Sequence, residues 1–264
     1  MPIWLYEFPP LVTAIVMVVF VEGLSLIGLF LARRFLLPRF HYSDGINDAV
    51  SGTVQAIGVF YGITVGLIAV GVWNTNAGAS DLISREASAV AGVYRDVGGL
   101  PSPVREELWG KLENYLDVVI NQEWPAQKKG KVPDGGTLIL NDFQSTLFAH
   151  EPATPGQIEV FSETLHGFNS LSDARRLRMN AVSSGLSATM WGVIWVGAVF
   201  SIGVAYLFNI PDAKMHVTLI ALMGGFLAIV LFMISINDKP FYGAASVSPE
   251  PYHLLLDRIH TFAK

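Results

Sequence analysis

Residues 217–236 read VTLIALMGGFLAIVLFMISI, an apolar run that contains no formal charge. A helix of about 20 such residues crosses the hydrocarbon core of a bilayer, which is roughly 30 Å thick. Three further runs have the same character, at Leu11–Ala32, Ala49–Trp73 and Leu186–Phe208. The sequence therefore predicts a polytopic membrane protein whose four spans form two helical hairpins.

The composition of the whole chain agrees with a membrane protein. Of its 264 residues, 52% are hydrophobic and 15% are charged, and the mean hydropathy is +0.45, whereas soluble domains carry about 25% charged residues. The net charge of -5 leaves no broad basic surface for a phosphate backbone, so nucleic acid is not expected as a partner. Because the chain has no cysteine, disulfides, thiolate nucleophiles and cysteine-bound metals are excluded.

The spans divide the chain into predicted domains of an all-α fold. Residues 1–73 hold an aromatic-rich interfacial segment and the first hairpin, and residues 186–236 form the second hairpin. Residues 74–185 are predicted to form a helical extramembrane domain, inserted between spans two and three. Residues 237–264 are expected to form a tail that ends in a helix.

Helix signals in the insert predict how it connects to the spans. No proline lies between span two and Val97, so that span is expected to continue as a helix beyond the membrane surface. A helix is expected to end at Trp124-Pro125. Thr154-Pro155-Gly156-Gln157 fits a capping box, and the helix that it opens is expected to continue unbroken into span three.

Span two carries two faces of interest. Gly58, Gly62 and Gly66 form a stripe of small residues that favours close packing of a neighbouring helix. If this stripe faces the other helices of the same subunit, the opposite face can line a pore, with Phe60 as a hydrophobic constriction and threonines as weak hydration sites. The alternative is ordinary bundle core. The face comprises Thr53, Ala56, Ile57, Phe60, Thr64, Leu67 and Gly71.

Glu22 is an ionisable residue near the middle of span one, where an ionised side chain is costly. One interpretation makes it an ion or proton site. The other has it protonated and hydrogen-bonded to Gln55 or to a hydroxyl, at a subunit interface. The two interpretations differ in whether a Gln substitution changes ion selectivity or its pH dependence.

Arg175, Arg176 and Arg178 lie shortly before span three. They are expected either to form a positive vestibule that concentrates anions or to anchor the helix end in lipid headgroups and pair with local carboxylates such as Asp173. No enzyme, cofactor or metal site is expected. The histidines lack ligand spacing, and no phosphate-binding loop or nucleophile motif is present.

Four strings resemble the bestrophin-like domain family of bacterial membrane proteins: EWP at 123–125, LSDARRLR at 171–178, DKPF at 238–241 and VSPEP at 247–251. Their order and spacing cover nearly the whole chain. The resemblance implies four spans with a large insert after the second, like bestrophins, which are oligomeric anion channels whose pore is lined by the second span of each subunit.

The resemblance also implies particular roles and a location. Phe60, in Gly58-Val59-Phe60-Tyr61, would match a neck residue of bestrophins, whereas Gly52 and Ala56 are small where a bestrophin neck is bulky. By the same analogy the assembly would be a homo-oligomer, pentameric in bestrophins, in a bacterial plasma membrane, with the insert and both termini cytoplasmic. The alternative function is a non-conducting scaffold or sensor whose helical domain binds a protein or small ligand.

Overall fold

The computed structural model describes residues 6–40 and 45–262, and the regular elements in these two ranges are all helical. The chain divides into two compact units. The first comprises Met1–Thr75 and Gly185–Asp238, and the second comprises Asn76–Ser184 and Lys239–Lys264. Residues 1–5 of the predicted interfacial segment, including Trp4, lie outside the described residues.

The first unit contains four helices that are long and apolar enough to cross a membrane, which confirms the predicted number of spans. α1 is Pro10–Leu31, followed by a π-helical turn at Ala32–Leu36 and a 3₁₀ turn at Leu37–Arg39; α2 is Ile46–Val97, α7 is Ala188–Ala205 and α8 is Ala213–Asp238. Met17 and Val21 of α1 lie in one apolar cluster with Ala228 and Leu231 of α8. Apolar packing of α1 along α8 therefore organises this unit.

The second unit contains the remaining helices together with the C-terminal part of α2. α3 is Val104–Val118 and continues through a π-helical turn, Val119–Glu123, into α4, Trp124–Gln127; α5 is Gly135–Ala149, α6 is Pro155–Val182 and α9 is Glu250–Phe262. Phe143 and Phe168 stack at its centre, with ring centroids 5.3 Å apart. Tyr252 of α9 is fully buried in the same core, so the C-terminal segment is part of this unit.

Two predictions about the helices of the chain are confirmed. α2 runs for 52 residues without a break, well beyond its apolar part. At the start of α6, Thr154 Oγ1 accepts a hydrogen bond from the Gln157 amide at 3.3 Å, and the Gln157 side chain accepts one from the Ala153 amide at 2.8 Å. The predicted cap is therefore formed by Thr154 and Gln157, with the reciprocal bond made to the Ala153 amide in place of the N-cap amide.

Two other predictions about helix ends are wrong. The chain leaves helical geometry after Val182 and turns at Gly185, whose φ is +154°. α7 then starts at Ala188, after the N-cap residue Ser187, whose hydroxyl accepts a hydrogen bond from the Met190 amide. The helix therefore does not continue unbroken into span three. Trp124-Pro125 does not end a helix either, because the proline lies in the first turn of α4, where its missing N–H is tolerated.

Candidate functional site

The part of α2 that lies in the first unit packs through one narrow face. Val65 and Val72 are buried, and the Tyr61 hydroxyl donates a hydrogen bond to the backbone oxygen of Ile194 on α7 at 3.0 Å. The Tyr61 ring fits against Gly197, where an added Cβ would lie 2.3 Å from the ring. Because only this face contacts other helices of the same chain, most of the circumference of the span is left open.

The glycine stripe lies outside the packed face. Gly58, Gly62 and Gly66 are all exposed, and a Cβ added at any of them would meet nothing within 4 Å. The condition that the stripe faces the subunit's own helices is therefore not met. A stripe of small residues that is open in one chain is suited to close approach by a helix of another chain.

The opposite face of α2 is also open. Phe60 is 73% exposed and Leu67 is 70% exposed, whereas Ile57 is half-buried at the margin of the packed face. The other members of the predicted face are exposed: Thr53, Ala56, Thr64 and Gly71. Within the single chain this face is therefore not buried, with Ile57 at its boundary.

The two threonines of this face use their hydroxyl protons within the helix. Thr53 Oγ1 donates to the Ala49 oxygen at 3.0 Å, and Thr64 Oγ1 donates to the Phe60 oxygen at 2.8 Å. Each hydroxyl keeps oxygen lone pairs that can accept a hydrogen bond from water. The open face thus combines hydroxyl oxygens that can be hydrated with an exposed aromatic ring.

Glu22 is half-buried on α1 and its carboxyl lies against Gly224 and Gly225 of α8, not against Gln55. The Gln55 amide donates instead to the Ser51 hydroxyl at 3.1 Å. The predicted hydrogen bond between Glu22 and Gln55 is therefore not formed.

The three arginines before span three separate into two environments. Arg176 is exposed and pairs with Asp173 at 3.0 Å, as the local-pairing interpretation expects. Arg175 and Arg178 are buried inside the second unit, with exposed fractions of 4% and 0%. Neither of these two is at the surface, where a vestibule or a headgroup anchor would require it.

Arg175 and Arg178 form a buried ion-pair cluster with Glu86 and Glu123. Arg175 donates two hydrogen bonds to Glu123, at 2.8 and 2.7 Å, and Arg178 donates two to Glu86, at 2.6 and 3.0 Å. A further bond of 3.4 Å joins Arg178 to Glu123. The Tyr115 hydroxyl also donates to Glu86. The charges of the two guanidinium groups and the two carboxylates thus balance. Such balance is needed because an unpaired charge at this depth would be strongly destabilising.

Backbone and aromatic groups complete the surroundings of the ion-pair cluster. The Gly136 amide in the first turn of α5 donates to Glu123 at 2.8 Å, and the Arg178 guanidinium carbon lies 5.8 Å from the Tyr252 ring centroid. Burial alone would raise the pKa of Glu123, but hydrogen bonds from Arg175 and the charge beside it lower this pKa overall. Burial likewise opposes the charge of Arg178, yet the Glu86 carboxylate raises the pKa of Arg178 well above its ordinary value.

The sequence contains a signal for this cluster that a search for catalytic motifs misses. Glu86 falls on the same helical stripe of α2 as the buried residues Ile83, Val90 and Val93. A carboxylate within an apolar stripe must find a buried partner. The identity of that partner is not evident locally, because Arg178 is 92 residues away in the chain.

The four long apolar helices are those of an integral membrane protein. The chain also has a second helical unit, which is built around buried ion pairs. The Bestrophin-like domain model matches residues 19–252. The chain therefore belongs to the bestrophin-like family.

Solved structures share the fold at low sequence identity. A bacterial bestrophin homologue from Klebsiella pneumoniae, in a singly substituted form, is 8% identical, with a TM-score of 0.69 over 95% of this chain and 98% of that one. A second substituted form of the same homologue gives a TM-score of 0.65, with 8% identity over 94% and 97%. A structure described as a membrane protein gives 0.68, also at 8% identity, over 94% and 97%. No curated protein matches the chain.

Proposed function

We propose that this chain is the subunit of a homo-oligomeric ion channel of bestrophin-like type, in which α2 of each subunit borders a central pore. The observation that carries the proposal is that α2 packs within its own chain through one face only, and leaves two opposite faces open. In a ring, the glycine stripe can contact the neighbouring subunit while the face with Phe60 borders the axis.

Phe60 is the proposed constriction of this pore. Its side chain is 73% exposed and is the largest on the face, whose members one turn away, Ala56 and Thr64, are small or hydroxylated, so a ring of Phe60 side chains would form the narrowest apolar section. The face itself carries no formal charge. Because the uncharged face does not indicate the sign of the permeant ion, we propose anions by analogy with the family. Five subunits are proposed on the same analogy.

The proposed location is the plasma membrane of a bacterium, with the second unit and both termini in the cytoplasm. The absence of cysteine makes this orientation directly testable, because single cysteines can be introduced without a background. Lys129→Cys in the second unit should react with an impermeant maleimide only after the cells are opened. Lys214→Cys, at the start of α8, should react in intact cells.

The decisive experiment measures ion flux through purified protein in liposomes. Vesicles with wild-type protein should lose an imposed chloride gradient. Phe60→Ala should increase the rate of chloride efflux severalfold, because the ring that narrows the pore is removed. Phe226→Ala is the matched control, since Phe226 of α8 is 67% exposed but is not on the proposed face. Bi-ionic gradients of chloride and sodium then measure the charge selectivity. Tight vesicles under all gradients would contradict the proposal.

A non-conducting sensor is the second candidate, and one observation favours it. A groove of about 470 Å³ lies in the second unit between α5 and α6. Its lining is rich in amide and hydroxyl side chains: Thr137, Asn141, Gln144, Asn169, Ser172 and Asn180. Such groups can orient a small polar ligand. A sealed or lipid-filled centre in images of the oligomer, together with absent flux, would favour this candidate over the channel.

A further inference from the structure

The Glu22 carboxyl, in the middle of α1, is only partly satisfied: it has a backbone hydrogen bond to Gly225 of α8 and no charged partner. Its Oε2 atom is buried and has no hydrogen-bond partner among the described residues. An ionised carboxylate at this depth of a bilayer is costly unless a partner, water or a bound ion compensates it. The position therefore calls for a neutralising group.

Two glycines of α8 make room for this carboxyl. A Cβ added at Gly224 would lie 3.0 Å from Glu22 Oε2 and 3.0 Å from Ser25 Oγ, and a Cβ added at Gly225 would lie 3.0 Å from Glu22 Oε1. Any larger residue at these two positions would crowd the carboxyl. Gly224 and Gly225 thus leave a recess that is lined by the two carboxyl oxygens of Glu22 and the hydroxyl oxygen of Ser25.

Hydroxyl groups beside the recess have already used their protons elsewhere. Ser25 Oγ donates to the backbone oxygen of Val21 at 2.7 Å, and the Tyr206 hydroxyl donates to the backbone oxygen of Ser25 at 2.8 Å. The recess therefore presents oxygen lone pairs, and these nearby hydroxyls supply no proton to the carboxylate.

Charged groups on the packed helices are too distant to neutralise Glu22. On α8 they are Lys214, His216 and Asp238, all more than two helical turns from the two glycines. α7 contains no charged residue, and neither does α2 between residues 49 and 73. No fixed cation of the described helices faces the carboxyl at this level.

We propose that Glu22, in the recess formed by Gly224 and Gly225, binds a small monovalent cation, either a proton or an alkali ion. A single positive charge neutralises a single carboxylate, whereas a divalent ion would leave net charge in the hydrocarbon core. Carboxylate and hydroxyl oxygens are suitable hard ligands for an alkali ion, and one carboxylate oxygen suffices for a proton. Because the recess lies between α1 and α8, this binding does not depend on whether α2 borders a pore.

Thermal unfolding of the purified full-length protein in detergent tests the site. The wild-type melting temperature is measured in NaCl against choline chloride at equal ionic strength, and separately over a pH series. A cation that binds only the folded state should raise it by roughly 3 °C for each tenfold increase in activity above the dissociation constant. Glu22→Gln, which is neutral and of the same size, should abolish the sodium dependence and should remove the part of the pH dependence that comes from proton binding at Glu22. Glu159→Gln, on the exposed surface of α6, should retain it.

The two experimental arms separate the two cations. A sodium dependence at fixed pH that is lost in Glu22→Gln identifies an alkali ion. A difference between wild type and this variant that is confined to the pH series identifies a proton. If sodium and pH change the melting temperatures of wild type and Glu22→Gln equally, the proposal is overturned. If Glu22→Gln does not fold, Gly225→Ala serves instead: crowding should shift the midpoint of the response by threefold or more, and an unchanged midpoint would also overturn it. Flux is not part of this readout, so tight liposomes would contradict the channel and leave the cation site standing.

Discussion

Arg178 donates two hydrogen bonds to the Glu86 carboxylate, at 2.6 and 3.0 Å, and both side chains are fully buried. This pair joins α2 to α6 inside the second unit, across 92 residues of sequence. A paired donor fork of this kind fixes the relative orientation of two helices, because the guanidinium plane must match the carboxylate plane.

Removal of Arg178 alone should destabilise the protein strongly. Arg178→Met leaves the Glu86 carboxylate buried without its main cation, and the loss of one partner of a buried pair typically costs about 3–5 kcal/mol. The expected result is a large fall in melting temperature in detergent, monitored by tryptophan fluorescence. The double variant Glu86→Gln/Arg178→Met should recover part of the loss, since no uncompensated charge then remains at that pair.

Arg176 provides the matched control for this prediction. It lies two residues earlier on the same helix, but its side chain is 72% exposed and its pair with Asp173 is a surface pair. Such pairs contribute little, so Arg176→Met should leave the melting temperature nearly unchanged. An equal loss in both variants would indicate that burial of the pair is not what stabilises the unit.

Acid should weaken the second unit through Glu123. Hydrogen bonds from Arg175 and the charge beside it lower the pKa of this carboxyl in the folded state below its ordinary value of 4.5. The unfolded chain therefore binds the proton more readily, so the stabilisation is present above pH 4.5 and is lost as the pH falls through the folded-state pKa. The melting temperature of Glu123→Gln, measured below pH 4.5, should fall less steeply with decreasing pH than that of wild type.

Glu159→Gln is the control for this acid dependence, because Glu159 is exposed on the same unit. It should preserve the wild-type profile. A profile for Glu123→Gln that parallels wild type throughout the acid range would exclude Glu123 as the group responsible.

The contact between Tyr61 and Gly197 should be sensitive to one added methyl group. A Cβ at residue 197 would lie 2.3 Å from the Tyr61 ring, so Gly197→Ala forces α2 and α7 apart or moves the ring. Overpacking of this kind costs roughly 1–3 kcal/mol. Tyr61→Phe should cost less, about 0.5–1.5 kcal/mol, because it removes only the hydrogen bond to Ile194.

A double-mutant cycle checks this assignment. In Gly197→Ala/Tyr61→Ala the clash is absent, so the added methyl group should cost less than it does beside an intact Tyr61. Melting temperatures of the four proteins in detergent give the coupling. Strict additivity would mean that the two side chains do not compete for the same space.

The sequence predicts the spans well because length and apolarity alone decide whether a helix can cross a bilayer. It also predicts the capping box at Thr154, since every interaction of that motif lies within a few residues. Long-range partners are different. The pairing of Glu86 with Arg178, and of Glu123 with Arg175, depends on how helices distant in sequence pack together, so the arginines are interpreted as surface residues when only their neighbours along the chain are considered.

The break between α6 and α7 shows a second limit of local reasoning. Gly185 and Ser187 provide the turn and the N-cap, but glycine and serine also occur inside membrane helices, as Gly197 and Ser201 do in α7.

The open faces of α2 show a third limit. A stripe of glycines indicates that some helix approaches, but periodicity cannot say whether that helix belongs to the same chain or to a neighbouring one.

The glycine stripe of α2 should be required for assembly and not for folding of the single chain. Because a Cβ at Gly62 meets nothing within 4 Å, Gly62→Leu fits the isolated subunit, yet it would block close approach by a helix of another subunit. Native mass spectrometry of the purified variant should therefore show loss of the wild-type oligomer, with the helical content by circular dichroism retained. Gly192→Leu on α7, where a Cβ also meets nothing within 4 Å, is the matched control and should preserve the oligomer. An intact oligomer in Gly62→Leu would place the stripe against lipid, and the ring in which α2 contacts its neighbour through these glycines would have to be abandoned.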